Sequence, residues 1–98
     1  MKQLAQIEKV MLLRRVPLFA HCSAEEVVRI AAIAGERRFE AGDPIYGAND
    51  PAEALYCVVD GSVSVADDNG GSRVVGPRQT FGVTEILSGR LRAGEARA

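Results

Sequence analysis

The 98-residue sequence contains no tryptophan, one histidine and two cysteines, Cys22 and Cys57. The two cysteines lack the spacing of a metal site or a redox motif, so we expect reduced thiols in a cytosolic setting and no disulfide. We find no Ser-His-acid set, no paired metal ligands, and no glycine-rich Walker or dinucleotide fingerprint. The sequence therefore predicts a protein that is not an enzyme and that holds no metal or cofactor.

Long apolar runs and a strong net charge are also missing. No apolar stretch approaches the roughly 20 residues of a membrane-spanning helix. Glu8, Arg14 and Arg15 interrupt the apolar residues near the N-terminus, unlike the pattern of a signal peptide. The formal net charge of −1 provides no field that would attract nucleic acid or an anionic membrane. We therefore expect one small cytoplasmic domain over residues 1–98, without nucleic-acid or membrane partners.

The first third of the sequence has the periodicity of helices. It predicts one helix over about residues 3–14 and a second over about 24–34. The second is the firmer prediction because Ser23 and Glu26 can form a capping box and Gly35 supplies a stop signal. The apolar faces are Leu4, Ile7 and Met11, widened by Val10 and Leu13, in the first helix, and Val27, Ile30, Ala31 and Ala34 in the second.

After residue 35 the pattern changes to short apolar segments separated by turn residues. Turn signals at about every 8–12 residues predict a β-sandwich or barrel, which we place at about residues 36–80. Asp60-Gly61 predicts a two-residue hairpin turn, and Asp67 to Gly71 predicts a longer hairpin loop. The predicted strands cover residues 37–40, 44–46, 55–59, 62–65 and 73–75, and another strand begins within 90–98.

The segment after the predicted barrel carries the most informative motif. Phe81-Gly82 ends a strand and opens a short helix over about 83–88, and Arg92 follows ten residues after Gly82. A helix start exposes unpaired amide N–H groups and a partial positive charge, which favour a phosphate-like anion. The residues alone leave two interpretations open: an anion pocket completed by Arg92, or a turn beside a surface charge.

The order of these motifs resembles the cyclic nucleotide-binding domain. The family includes regulatory subunits of cyclic-AMP-dependent kinase, gating domains of cyclic-nucleotide-gated channels and bacterial catabolite-activator-type regulators. The matching stretches are Val16-Pro17-Leu18-Phe19, Ser23 to Ile33, Gly42-Asp43-Pro44-Ile45-Tyr46, Leu55 to Val65, and Phe81-Gly82, with Arg92. The resemblance implies an α+β fold: a mainly β jelly roll (a double-stranded β-helix) flanked by helices. It is incomplete here, because the sequence stops before the final strands and lid helix of the family.

The resemblance also implies a ligand, cyclic AMP or cyclic GMP, and a phosphate cassette that binds it. In the family, backbone amides of the short helix and the arginine hold the cyclic phosphate. A glutamate directly after the glycine bonds the ribose hydroxyl. Transferred by position, the implied ligand-binding residues are Phe81, Gly82, Val83, Thr84, Glu85, Arg92 and Ala93.

The cassette departs from the family pattern at several positions. Val83 stands where the ribose-binding glutamate is expected, and a valine side chain cannot accept a hydrogen bond. Ala93 and Gly94 stand where a small hydroxyl residue and an alanine are expected. Glu85 has two interpretations, a substitute ribose acceptor or a first-turn glutamate favoured by the helix dipole. We therefore expect weak nucleotide binding at most.

Two turn glycines of the family pattern are also replaced. Asn49 occupies one and tolerates a positive φ, whereas Arg78 occupies the other and is less suited to it.

Two functions of different classes follow. One is a regulatory or sensory module of a larger parent protein, in which a cyclic nucleotide controls an attached effector domain. The other is a degenerate, non-binding copy of the fold that serves as a protein interaction or structural domain of a larger regulator or transporter. In that case an unpaired strand edge could join two copies as a homodimer.

Overall fold

The structure, a computed structural model, describes residues 4–67 and 69–98 and divides into two compact units, Met1–Arg38 and Phe39–Ala98. The first unit is helical, and the second consists of antiparallel sheets with one short helix. This confirms the α+β fold class. None of the helices in the described ranges has both the length and the apolar character that crossing a membrane requires.

The first helix is shorter than predicted. It begins after Ala5, whose amide donates a hydrogen bond to the Glu8 carboxylate at 3.0 Å. This contact fixes the helix start there, and residue 3 of the predicted range lies outside the described residues. The helical unit contains α1 (Gln6–Leu13), a short 3₁₀ turn (Pro17–Phe19) and α2 (Ala24–Ile33).

The predicted capping box at the start of α2 is confirmed. The Ser23 amide donates to Glu26 Oε1 at 2.8 Å, and the Glu26 amide donates to Ser23 Oγ at 3.2 Å. The end of α2 is within one residue of the predicted end, but Gly35 does not form the left-handed stop that was expected of it. The helix ends at Ile33 because Ala34 is already extended, with φ −72° and ψ 123°, and Gly35 does not adopt a positive φ.

A small apolar cluster holds the helical unit together. Leu13 of α1 and Val27 and Ala31 of α2 are its buried members. Ile7 and Met11 were predicted to lie on the buried apolar face of α1. This prediction is wrong, since Ile7 is 64% exposed and Met11 is 56% exposed. Helical spacing allows more than one row of this short helix to face inward, and the contact with α2 selects the row that contains Leu13.

The second unit is built around a four-stranded antiparallel sheet with the order β1-β6-β3-β4 and a separate antiparallel pair, β2-β5. Its buried apolar core consists of Val58, Val63, Val75, Phe81 and Ala96. The strands are β1 (Pro44–Tyr46), β2 (Tyr56–Cys57), β3 (Val63–Ala66), β4 (Ser72–Val75), β5 (Thr80–Phe81) and β6 (Ala96–Arg97), and the helix is α3 (Val83–Ser88).

The two predicted hairpins have different outcomes. The longer one is confirmed: β3 and β4 pair around the loop after Ala66, with Ala66 opposite Ser72. The Asp60-Gly61 hairpin is wrong, because β2 pairs with β5 whereas β3 pairs with β4 and β6. Only Gly61 of the two turn residues has a positive φ, 82°. The turn therefore carries the chain from one sheet to the other.

Two predicted strands near the ends of this region also differ in outcome. The strand over 37–40 is wrong, because these exposed, charge-rich residues belong to no strand of the described part of the chain. The strand expected within 90–98 is present as β6, and it lies in the sheet interior between β1 and β3.

Asn49 and Arg78, which replace two turn glycines of the family pattern, both have the positive φ that favours glycine. Asn49 has φ 68° and Arg78 has φ 67°. Arg78 follows Pro77 in a turn closed by the Gln79 amide, which donates to the Gly76 carbonyl at 3.1 Å. Proline at the second position and a positive φ at the third are the features of a type II turn, which favours glycine there. Arg78 therefore holds a conformation that its side chain disfavours.

Candidate functional site

The site begins at the junction between β5 and α3. Gly82 has φ 79° and separates Phe81 of β5 from Val83, the first residue of the helix. A Cβ atom on Gly82 would lie 2.9 Å from Nη1 of Arg92. Glycine is therefore required here for its left-handed backbone and for the close approach of the guanidinium.

The backbone of Arg92 is fixed by the loop that follows β1. The Asn49 amide donates to the Arg92 carbonyl at 2.8 Å, and the Arg92 amide donates to the Asp50 carbonyl at 2.9 Å. Asp50 also closes its own loop, because its Oδ2 accepts from the Gly47 amide at 2.8 Å. The left-handed turn at Asn49 thus positions the arginine, although the two residues are far apart in the sequence.

The side chain of Arg92 is buried and turned back toward the junction. It is 2% exposed, and its Nη1 donates to the Gly82 carbonyl at 2.7 Å. Nη2 donates to the Ala54 carbonyl. Oε1 of Glu85 lies 3.3 Å from Nη1 and provides the opposite charge, and the guanidinium carbon lies 4.2 Å from the centre of the Tyr46 ring. One cation is thus held by two carbonyls, a carboxylate and an aromatic face.

One donor of this arginine remains unused. Arg92 Nε is buried and has no hydrogen-bond partner within residues 4–67 and 69–98. The amides of Val83, Thr84 and Glu85 lack intrahelical acceptors because they form the first turn of α3, and none of them donates to another described residue. A buried N–H without an acceptor is uncommon in folded proteins.

Three aromatic rings form a cluster, and one of them, Tyr46, contacts the buried guanidinium. Tyr56 and Phe81 are stacked, with ring centres 4.9 Å apart, and Tyr46 lies 6.1 Å and 6.2 Å from them. Burial raises the pKa of Tyr46, with a smaller raising effect from Glu85, while the positive charge of Arg92 acts in the opposite direction. The Tyr46 hydroxyl therefore stays neutral at ordinary pH.

The structure brings some of the predicted ligand-binding residues together and leaves others apart. Gly82, Glu85 and Arg92 are in direct contact, whereas Thr84 and Ala93 are exposed. Phe81 is buried, and Val83 is half-buried.

Sequence reasoning missed two partners of Arg92, the Ala54 carbonyl and the Tyr46 ring. Every residue has a backbone carbonyl, so the residue type at position 54 does not indicate this contact. Tyrosine is common in strands, so Tyr46 gave no sign of a role at the site. The pairing of Glu85 with Arg92 had a weak signal, since opposite charges lie at the two ends of the same short segment.

The close approach of another strand explains why position 94 is a glycine. A Cβ atom there would lie 2.5 Å from the carbonyl oxygen of Ala66. The chain passes this close because the Ala66 amide donates to the Glu95 carbonyl at 2.9 Å, beside the pairing of β3 with β6. The alanine expected at position 94 would not fit without a backbone shift.

A cavity of about 430 Å³ lies in the second unit, lined by Phe39, Tyr56, Cys57, Phe81 and Ala98 among others. Neither Arg92 nor α3 lines it. Burial raises the pKa of Cys57, which keeps its thiol protonated and weakly nucleophilic. Cys57 and Cys22 are both free, as predicted. In the part of the chain that the structure describes, no cluster of three or more potential metal ligands occurs.

Relatives share most of this chain as a part of longer proteins. A proposed potassium channel of Rhodopseudomonas palustris is 29% identical over 87 residues, covering 86% of this chain and 21% of that protein. A cyclic nucleotide-gated potassium channel of Mesorhizobium japonicum is 33% identical over 87 residues, covering 89% of this chain. The chain spans 24% of the length of that second channel.

The fold is also found among solved structures. The regulatory subunit of a cAMP-independent protein kinase A from Trypanosoma brucei matches with a TM-score of 0.86 and 23% identity. That match covers 95% of this chain and 35% of the kinase subunit. Residues 36–98 match the family described as the cyclic nucleotide-binding domain, a span that includes Arg92 and its partners Gly82 and Glu85. The chain therefore belongs to the cyclic nucleotide-binding domain family.

Proposed function

We propose that this domain is a regulatory module that binds cyclic AMP or cyclic GMP weakly and controls an effector domain of a larger parent protein. The amides of Gly82 to Glu85 and the guanidinium of Arg92 bind the cyclic phosphate. The domain contributes no enzymatic chemistry. Ligand binding favours one arrangement of α3 over another, and the difference in affinity between the two arrangements drives the effector.

The observation that carries this proposal is the unused Nε of Arg92. It is buried beside the β5–α3 junction and lacks an acceptor among the described residues. Phosphate oxygens are strong acceptors for a guanidinium, and the unpartnered first-turn amides offer further donors. The relationship to a protein named as a cyclic nucleotide-gated channel supports the same ligand class and the role within a longer chain.

Val83 explains why the binding is weak. A hydrogen bond to a charged group contributes about 1.5–3 kcal/mol, and the valine side chain provides none to a ribose hydroxyl. The corresponding loss of affinity is about 10- to 150-fold. Val83→Glu should restore the missing acceptor and strengthen binding by about this factor.

Calorimetric titration with cyclic AMP and cyclic GMP tests the proposal. We expect weak binding by the native chain, tighter binding by Val83→Glu and none by Arg92→Ala, with folding checked by circular dichroism. Val74→Glu is the matched control, because it adds the same charge at a valine that is 74% exposed on β4.

Two results would contradict parts of the proposal. Unchanged affinity in Val83→Glu would show that the ribose position is wrongly assigned. No binding by the native chain at about 1 mM nucleotide, where the binding free energy is only about −4 kcal/mol, would remove the proposed function.

A second function is favoured by the burial of Arg92. The guanidinium is 2% exposed and already has acceptors in Gly82, Ala54 and Glu85. These contacts suit a non-binding copy of the fold that acts as an interaction or structural domain. Strand β4 lies at the edge of the four-stranded sheet and could pair with a second copy. The mass in solution discriminates, since a monomer without ligand argues against edge pairing.

A further inference from the structure

We propose that the Glu85 carboxylate is an internal counter-ion that competes with the ligand phosphate for Arg92 and thereby limits the affinity of the cassette for anions. The carboxylate of Glu85 and the phosphate of a ligand are alternative partners of one guanidinium. The inference rests on the proposed function only in placing the ligand phosphate at the Gly82–Arg92 site.

The contacts of Arg92 identify Glu85 as the competing group. Two of its three hydrogen-bond acceptors, Gly82 and Ala54, are neutral carbonyls. Glu85 Oε1, 3.3 Å from Nη1, is the single carboxylate within salt-bridge distance of this guanidinium in the described part of the chain. Removing Glu85 would therefore leave a buried cation with no negative partner, which is unfavourable in a protein interior.

The burial of the pair determines how strongly the two anions compete. The side chains of Arg92 and Glu85 are 2% and 15% exposed. Little water is available to screen a second negative charge there, so a phosphate that binds beside the carboxylate is repelled by it. A phosphate that accepts from the free Nε therefore binds well only when the carboxylate moves away from Nη1, and the loss of that ion pair reduces the net affinity.

A second arginine–glutamate ion pair in the same unit is exposed to solvent. Arg97 Nε lies 3.2 Å from Glu95 Oε1, but these side chains are 50% and 51% exposed. Solvent screens this pair, so removal of the Glu95 charge should leave Arg97 hydrated and the cassette unaffected. Glu95→Gln therefore changes the net charge by the same amount as Glu85→Gln and serves as its matched control.

The experiment compares the native chain, Glu85→Gln and Glu95→Gln by NMR titration with inorganic phosphate and with cyclic AMP at constant ionic strength. The Arg92 Nε–H signal and the first-turn amides of α3 report binding at the site. We expect Glu85→Gln to bind both anions at least about tenfold more tightly than the native chain, which is the effect of one charge-assisted hydrogen bond. Glu95→Gln should match the native chain.

Equal affinities for Glu85→Gln and the native chain would overturn the inference. So would equal gains in both variants, because they would indicate a general effect of net charge. Tight phosphate binding by Glu85→Gln without any cyclic AMP binding would remove the proposed function and leave the inference standing. If Glu85→Gln does not fold, Glu85→Asp is measured instead. The shorter side chain should reach Arg92 less well, so this variant should bind anions several-fold more tightly than the native chain, and no gain would overturn the inference.

Discussion

The capping contacts of the helical unit and the arginine contacts of the strand-rich unit differ in burial and in range. In the helical unit, the capping contacts of Ala5 with Glu8 and of Ser23 with Glu26 are exposed and join residues three positions apart. In the strand-rich unit, Arg92 is 2% exposed and reaches a carbonyl 38 positions away. Local exposed contacts contribute little individually, whereas the loss of a buried, long-range charge should affect the whole unit.

Arg92→Ala should give the largest effect on stability. It leaves the Glu85 carboxylate without its counter charge, and it removes a donor from the buried Gly82 carbonyl and from the half-buried Ala54 carbonyl. We expect the free energy of unfolding to fall by about 3 kcal/mol, the lower end of the range for breaking a buried pair, because Glu85 keeps some contact with water. Urea denaturation measures this.

Arg97→Ala is the matched control for that variant. Its pair with Glu95 has a similar length but is half exposed, so the expected loss is about 0.5 kcal/mol or less. Equal losses in the two variants would contradict the distinction between buried and exposed pairs.

Gly94→Ala should give the second-largest effect. Its Cβ would meet the Ala66 carbonyl at 2.5 Å, and the required backbone shift should cost about 1–3 kcal/mol. Gly35→Ala, in the helical unit, is the control because a Cβ there meets nothing within 4 Å and should be neutral or slightly stabilising. Thermal unfolding of both variants separates the two cases, and a similar loss in Gly35→Ala would point to a general effect of removing glycine.

Ser23→Ala should weaken the start of α2 by about 1 kcal/mol, measured by amide hydrogen exchange within that helix. The hydrogen bonds from the Ser23 backbone and side chain lower the pKa of Glu26. Because this pKa is depressed in the folded state, its contribution is present above the ordinary pKa of a glutamate and is lost as pH falls through the lowered value. Lowering the pH should therefore destabilise the start of α2, and Ser23→Ala should reduce this effect of pH. Unchanged acid sensitivity in the variant would show that the Ser23 hydroxyl does not contribute to it, since the backbone bond from residue 23 to Glu26 is retained.

Arg78→Gly should give the smallest effect, and it should stabilise. It relieves a φ of 67°, which costs a non-glycine residue about 1–2 kcal/mol. Glycine recovers only part of this, because its unfolded chain is more flexible by about 0.5–1 kcal/mol, so we expect a gain of roughly 0.5 kcal/mol. Asn49→Gly should gain less, since asparagine tolerates this conformation. A larger gain at Asn49 would contradict the assignment of strain to Arg78.

The parts of the fold predicted from the sequence are those encoded by neighbouring residues. The capping box of α2, the loop between β3 and β4 and the glycine junction at Gly82 depend on a few adjacent positions. The hairpin at Asp60-Gly61 was predicted wrongly because its turn residues are local, whereas the pairing of β2 with β5 depends on distant residues. The prediction that Ile7 and Met11 of α1 are buried was wrong for the same reason, because the contact with α2 decides which side of α1 faces inward.

The candidate site follows the same division. The positions of Gly82 and Arg92 could be predicted because the family pattern fixes their spacing. The acceptors of Arg92 could not, because the Ala54 carbonyl and the Tyr46 ring come from other elements of the sheet. Glu85 was identified as a member of the first turn, but its pairing with Arg92 required the direction of the arginine side chain.

We propose that the buried Arg92 and the first turn of α3 form one weak anion site. The decisive measurement follows the Arg92 Nε–H signal of the native chain during titration with cyclic AMP. We expect this signal and the amides of Val83, Thr84 and Glu85 to shift together along one saturation curve. Shifts confined to other residues, or no shift at about 1 mM, where the binding free energy is about −4 kcal/mol, would contradict it.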